Sequence, residues 1–248
     1  MSVLLSASVF YAVPAHADET SAKRVVKAMS DYMASQKNIS GAFDIALDVT
    51  TPQLERVTFN SSGSLLVERP GNIRAIRKGG YSEMELVSDG RMATVIDQAN
   101  GAYAQAASPG TIDAVIDMLR TTYGIEMPAG DLLMTNSYDR LTEEVIEAKH
   151  IGVGVVDGYV CEHLAFRNKD TDWQLWVRAG ARPLPCKYLI SSKTIVGYPT
   201  YTIQFRDWSV GRTAAAGSFR FKPAPSARRV GFDQMSAAGE LPAPARGN

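Results

Sequence analysis

The period of the apolar positions changes along the chain, and each change marks an element. From Asp18 to Lys37, Ala22, Val25, Val26, Met29, Tyr32 and Met33 recur at helical spacing, with acidic residues in the first turn. This predicts one amphipathic helix whose apolar stripe must cover something. The period then drops to two. Short runs at 41–49, 54–60, 64–69, 73–78, 82–88, 92–97 and 102–106, each bounded by Gly, Pro, Asn or Asp, read as successive antiparallel strands. Helical period returns after Ser108, which precedes Pro109 as an N-cap precedes a first-turn proline. Ile112, Val115, Ile116, Leu119 and Tyr123 predict a second helix there. Gly124 and Pro128 break it, a short turn follows at 132–136, and a third helical piece is predicted at 138–147. Strands resume near Ile151, run through 158–192 and 200–210, and close at 219–222 before Pro223.

Within 158–190, Asn168-Lys169-Asp170 and Gly180-Ala181-Arg182-Pro183 supply turn chemistry between three alternating runs, which predicts a three-strand meander. Centring one turn near Asp170 and the next near Ala181 places Cys161, His163, Ala165, Trp173, Leu175, Val177, Cys186, Tyr188 and Ile190 on one face. Tyr201, Ile203 and Phe205 can continue that face, and Phe43, Ile45 and Leu47 can enter from the other end. Two readings stay open: an ordinary core packed under the helices, or a hollow face that holds a ligand.

Cys161, His163 to Arg167, Asp172-Trp173-Gln174, Trp176 and Arg182-Pro183-Leu184-Pro185 resemble the bacterial predicted periplasmic proteins carrying domain of unknown function 2092. The order of elements is also similar to that of the LolA and LolB lipoprotein carriers, in which an incomplete antiparallel barrel wraps helices that plug its mouth. Leu65 to Arg74, with Arg69-Pro70-Gly71 at its centre, looks like the strand, Arg-Pro turn and Arg-bearing strand of those carriers. Where they tend to place an aromatic next, this chain has Ala75.

The resemblance implies a mainly β fold: a curved antiparallel half-barrel of about eleven strands at 18–235, covered by helices, with the lid around 108–147. It implies a binding or carrier protein for an apolar group, whether a lipid, a fatty acyl chain or a lipoprotein. The candidate cavity residues are Phe43, Ile45, Leu47, Ile112, Ile116, Leu119, His163, Trp173, Leu175, Val177, Tyr188, Ile190, Tyr201, Ile203 and Phe205. Related carrier-like folds serve regulators of envelope stress, so the second expectation is an envelope sensor or scaffold that binds another protein.

Val3 to Val13, Pro14 and Ala15-His16-Ala17 form a secretory signal with cleavage expected after Ala17, which predicts a periplasmic location. No Lys or Arg precedes the apolar run, which points to a start codon upstream or a weak n-region. The run is too short to span a membrane. Residues 236–248, rich in Ala, Pro and Gly, are expected to be disordered. Basic and acidic residues number 26 each, so no nucleic-acid partner is implied.

Chemistry-bearing residues are sparse. His16 leaves with the signal, and His150 and His163 are too few for most zinc sites. Glu162 adjoins His163 but points to the opposite face of its strand. No nucleophile-elbow, zinc-protease or phosphate-loop motif occurs, so no catalytic residue, metal or cofactor is expected and the chain does not read as an enzyme. Cys161 and Cys186 present a conflict. An oxidising compartment favours a disulfide, whereas an intervening strand would hold them roughly 9 to 10 Å apart, beyond the usual limit of about 7 Å. The meander argues against the bond.

Overall fold

The computed structural model describes residues 19–235, so the predicted signal and the predicted tail lie outside the described residues. Its strands are β1 (Asn38–Thr50), β2 (Arg56–Glu68), β3 (Asn72–Gly79), β4 (Glu83–Asp89), β5 (Met92–Asp97), β6 (Ala102–Ala107), β7 (Glu147–Val156), β8 (Tyr159–Arg167), β9 (Thr171–Arg178), β10 (Pro185–Ser192), β11 (Thr200–Val210) and the two-residue β12 (Arg228–Arg229). They form one sheet in the order β12-β6-β5-β4-β3-β2-β1-β11-β10-β9-β8-β7. Two meanders, β1 to β6 and β7 to β11, meet along the β1–β11 seam, and only β12 runs parallel to its neighbour. The fold is mainly β, and the curved sheet stays open, with β7 and β12 as its edges. Three helices cover its concave face: α1 (Glu19–Ser35), α2 (Ile112–Tyr123) and α3 (Ser137–Thr142), with a 3-10 turn at Gly130–Leu133.

Where the elements depart from the sequence pattern, a local interaction explains it. The runs predicted at 54–60 and 64–69 are one strand, β2, because Asn60 to Gly63 pair without interruption against β1. Gly63 is needed there: it faces Phe43, and a Cβ at Gly63 would lie 2.3 Å from the Phe43 ring and 2.2 Å from the Ile76 carbonyl oxygen. The N-cap of α2 is Thr111, whose Oγ1 accepts from the Ala114 N–H at 3.2 Å, and not Ser108. Gly110, at φ 94°, holds Ser108 and Pro109 out of the helix. The helical piece predicted to reach 147 ends at Thr142, since the Ile146 N–H already donates to the Arg167 carbonyl on β8 at 2.8 Å. Residues 219–222 are not a strand. Phe221 packs on Tyr103 of β6 at 5.0 Å, and the Ser218 carbonyl accepts from Arg74 at 3.1 Å, so this segment lies against the sheet.

The meander register differs by half a residue at its first turn. Arg167 pairs with Asp172 and Leu164 with Leu175, which centres a two-residue turn on Lys169-Asp170. A half-residue shift of the centre exchanges the two faces of a strand. Leu164 and Phe166 therefore join Trp173, Leu175 and Val177 on the concave side, while Cys161, His163 and Ala165 face the other way. The expectation for the cysteines is also corrected: Cys161 and Cys186 are bonded, with Cα atoms 7.0 Å apart. Cys161 pairs with Arg178, the last residue of β9, and the register of β10 slips between Pro185 and Lys187. A bulge at Cys186, next to the end of the intervening strand, brings the two within reach.

Arg69-Pro70-Gly71 joins the cover to the sheet. Arg69 Nη2 donates to the Leu133 carbonyl at 2.6 Å and reaches the Met33 carbonyl, near the end of α1, at 3.5 Å. The Pro70 carbonyl accepts from the Ile112 N–H at the start of α2, at 2.8 Å. Gly71 lets Gly110 approach so closely that a Cβ would meet the Gly110 oxygen at 2.4 Å.

Candidate functional site

The two halves of the concave face are filled differently. Over β7, β8 and β9, α1 packs directly on the sheet and buries Val26, Met29 and Met33 completely. Bulky side chains meet them. Phe166 and Trp173 stack at 3.9 Å, Tyr188 meets Trp173 edge-on at 5.7 Å, and Trp173 Nε1 donates to Asn168 Oδ1 at 3.1 Å. Burial pushes the Tyr188 phenol well above its ordinary pKa. The pocket in this half, about 160 Å³ lined by residues that include Phe166, Arg167, Asp172 and Trp173, is much smaller than the one over β1 to β5 and β11.

Over β1 to β5 and β11 the cover is different, and so is the packing. Here the cover is the end of α2, the loop 124–129 and the 3-10 turn, and the sheet contributes small residues at key points. The result is a cavity of about 460 Å³. Its sheet wall includes Phe43, Ile45 and Leu47 of β1, Leu65 of β2, Ala75 of β3, Met84 and Leu86 of β4, Val95 of β5, and Tyr201, Ile203 and Phe205 of β11. Leu119, Ile125, Met127, Leu132 and Leu133 line it from the cover, and Met235 from the end of the described chain. Arg77, Glu85 and Glu126 are the charged residues of the lining, and Glu85 is paired with Arg74 at 2.7 Å. The space follows from residue size. Ala75 pairs with Leu65 on one side and Leu86 on the other, so a single methyl stands in the middle of the wall.

The structure divides the sequence-derived candidates into three groups. Phe43, Ile45, Leu47, Leu119, Tyr201, Ile203 and Phe205 line the cavity. Ile112, Ile116, Trp173, Leu175, Val177 and Tyr188 are buried in the surrounding core, with Ile190 packed against it. His163 lies on the far face, stacked on Trp176 at 4.1 Å with Nε2 2.8 Å from Gln174 Oε1. Val177 is fully buried away from the cavity. Val177→Phe is therefore expected to overfill the core and cost about 1 to 3 kcal/mol in denaturant melts, with or without an added lipid.

Sequence reasoning missed two features. Asp207 takes a left-handed conformation (φ 55°) where the β1–β11 register slips, and this puts Trp208 into the cavity lining. Trp208 Nε1 donates to the Pro185 carbonyl at 2.7 Å, which fixes the ring. The second is the partner of Glu162: not its neighbour in sequence but His150 on β7, whose Nε2 lies 2.7 Å from Glu162 Oε2. Among the described residues, no group of three or more His, Cys, Asp or Glu side chains is placed to hold a metal ion. No helix among them is long and apolar enough to cross a membrane.

An open sheet covered by helices over an apolar chamber defines a half-barrel with an internal apolar cavity. The chain belongs to the family of predicted periplasmic proteins with domain of unknown function 2092, whose profile matches residues 22–233. No curated protein matches it. Among solved structures, it is similar to a chain of the Pseudomonas aeruginosa MucA/MucB complex, at 15% identity and a TM-score of 0.46, covering 82% of this chain and 61% of that one. It thus spans about three-fifths of the length of that chain. It is similar to LprF from Mycobacterium bovis, at 12% identity and a TM-score of 0.48, covering 79% and 97%. It is also similar to the Mycobacterium tuberculosis lipoprotein LppX, at 9% identity and a TM-score of 0.41, covering 77% and 96%.

Proposed function

We propose that this periplasmic protein is a binding or carrier protein that shelters an apolar group, a lipid or the acyl chain of a lipoprotein, in the chamber beneath loop 124–129. The observation that carries this reading is the chamber itself: about 460 Å³ with a mainly apolar lining, in a fold whose other half carries α1 packed directly on the sheet. That volume lies within the range of small-molecule sites, roughly 300 to 1,000 Å³. The polar part of a guest would stand at the end of the chamber where Arg77 lines it. No covalent chemistry is required. The cover exchanges its own contacts for those of the guest, and the loop 124–129 is the part with least regular structure to lose.

The test uses the small residue that makes the space. Ala75→Phe places a ring into the chamber between Leu65 and Leu86. Because room exists, melts of the apo protein are expected to change by less than about 1 kcal/mol, whereas overfilling a packed site costs about 1 to 3 kcal/mol. Binding of a fluorescent fatty acid is expected to weaken by about tenfold or more, equivalent to at least about 1.4 kcal/mol. Mass spectrometry of organic extracts of the natively purified protein should show a lipid-like species. Absence of any such species together with no fatty-acid binding would overturn the proposal. Co-purification of one stoichiometric protein in its place would favour the sensor or scaffold reading.

A further inference from the structure

The end of the sheet beside the chamber exposes apolar side chains that the fold does not use. The 51–55 turn between β1 and β2, the 80–82 turn between β3 and β4, and the 193–199 loop between β10 and β11 all lie at this end. They are fixed to one another locally. Thr50 Oγ1 donates to the Gly197 carbonyl at 3.2 Å, and Phe59 meets Tyr81 edge-on at 5.8 Å. On these tips Leu54 is 82% exposed, Val196 94%, Tyr198 64%, Tyr81 61% and Ile195 58%. The chamber runs toward the same end: Leu47, Arg77, Met84 and Tyr201 line it within three residues of their strand ends. The exposed tips thus continue the apolar wall to the outside.

We propose that this end of the protein seats on a lipid bilayer, with the tips of 51–55 and 193–199 entering the boundary between headgroups and acyl chains. This rests on the reading of the chamber as a lipid site: a guest could then pass between bilayer and chamber without crossing water. Three observations select a bilayer as the occupant. The apolar groups stand on separate projecting tips, which suit a fluid partner that closes around each one better than a rigid protein surface. Tyr81 and Tyr198 are amphipathic aromatics of the kind that settle at the headgroup level. Charge at this end is balanced, with Lys78 paired to Glu83 at 3.1 Å and Lys193 to Asp172 at 3.1 Å. Attachment therefore comes from apolar insertion, and salt should weaken it little.

The experiment combines flotation with vesicles of phosphatidylethanolamine, with and without phosphatidylglycerol, and a separate uptake assay using a dissolved fluorescent fatty acid. The wild type should float with both vesicle types at low and high salt. Leu54→Asp combined with Val196→Asp, both on exposed tips, should reduce flotation at least tenfold and slow transfer from donor vesicles. Uptake from water should be unchanged, since neither residue lines the chamber. Failure of the wild type to float, or equal flotation of the variant, overturns the proposal. So does light scattering that shows the variant dissociating a self-associated species, which would make this end a protein interface. Flotation without any fatty-acid uptake would remove the chamber reading and leave the docking surface standing.

Discussion

Replacing Cys161 and Cys186 together with alanine is expected to lower the unfolding free energy by about 3 kcal/mol. The bond joins residues 25 apart in sequence, so it removes a substantial loop-closure entropy from the unfolded chain. It also ties β8 to β10 across the end of β9, close to the open edge at β7. Alanine is the right replacement because both side chains are buried, Cys161 at 0% and Cys186 at 4% exposure, and a serine hydroxyl there would lose water for no partner. In a domain of this size the loss corresponds to a melting point lower by about 6 to 12 °C. Treating the wild type with a reductant should reproduce the shift, and a non-reduced peptide map should join the two cysteine peptides. The chamber lies on the other half of the sheet, so fatty-acid binding below the transition should be retained. Coincident melts for the variant and the oxidised wild type, with no linked peptide, would refute the assignment.

That bond also shows where a one-dimensional reading reaches its limit. The strand signals located nearly every strand, with β5 at 92–97 and β11 at 200–210 to the residue, because each is a short run bounded by turn-forming residues. It could not fix the face of β8, since a turn centred on Asp170 and one centred half a residue earlier are equally compatible with Asn168-Lys169-Asp170. The choice moved Leu164 and Phe166 inward and His163 outward. Bulges raise the same difficulty: those at Cys186 and Asp207 break the alternation, so the two-residue period does not place the side chains beside them.

The chamber was legible only in part, for a different reason. Alternation identifies side chains that share a face, and on that basis Phe43, Ile45, Leu47, Tyr201, Ile203 and Phe205 were grouped together. It does not say where neighbours fail to fill the space between them. The large aromatics of the meander drew attention to β8, β9 and β10, yet large side chains fill volume. The empty space lies where Ala75 contributes a single methyl to the sheet wall and the loop 124–129 forms part of the cover. Ala75 stands where the resemblance to the carriers leads one to expect an aromatic. Its consequence became visible only once Leu65 and Leu86 were seen to flank it.

Arg69→Ala is expected to cost about 2 to 3 kcal/mol, the scale of a lost hydrogen bond from a charged group together with a buried carbonyl left without its donor. Arg69 reaches both the end of α1 and the 3-10 turn, through the Met33 and Leu133 carbonyls. Those oxygens lie near helix ends, where carbonyls lack intrahelical partners and carry partial negative charge, so a guanidinium suits them without a carboxylate. The arrangement has its own cost. Burial holds the Arg69 pKa below its usual value, and the buried Nε has no hydrogen-bond partner. The net contribution should therefore be smaller than two ideal bonds would suggest. Arg69→Met separates the parts: it keeps the packing of the aliphatic stem and loses the hydrogen bonds, and it should recover at most part of the loss. Hydrogen exchange gives the readout that a general loss of stability would not. Under native conditions, protection should fall first in 112–142, with β7 to β11 unchanged, and fatty acid should enter and leave the chamber faster as the cover loosens. Equal melts and equal protection in Arg69→Ala and the wild type would show that the cover is held by apolar packing alone.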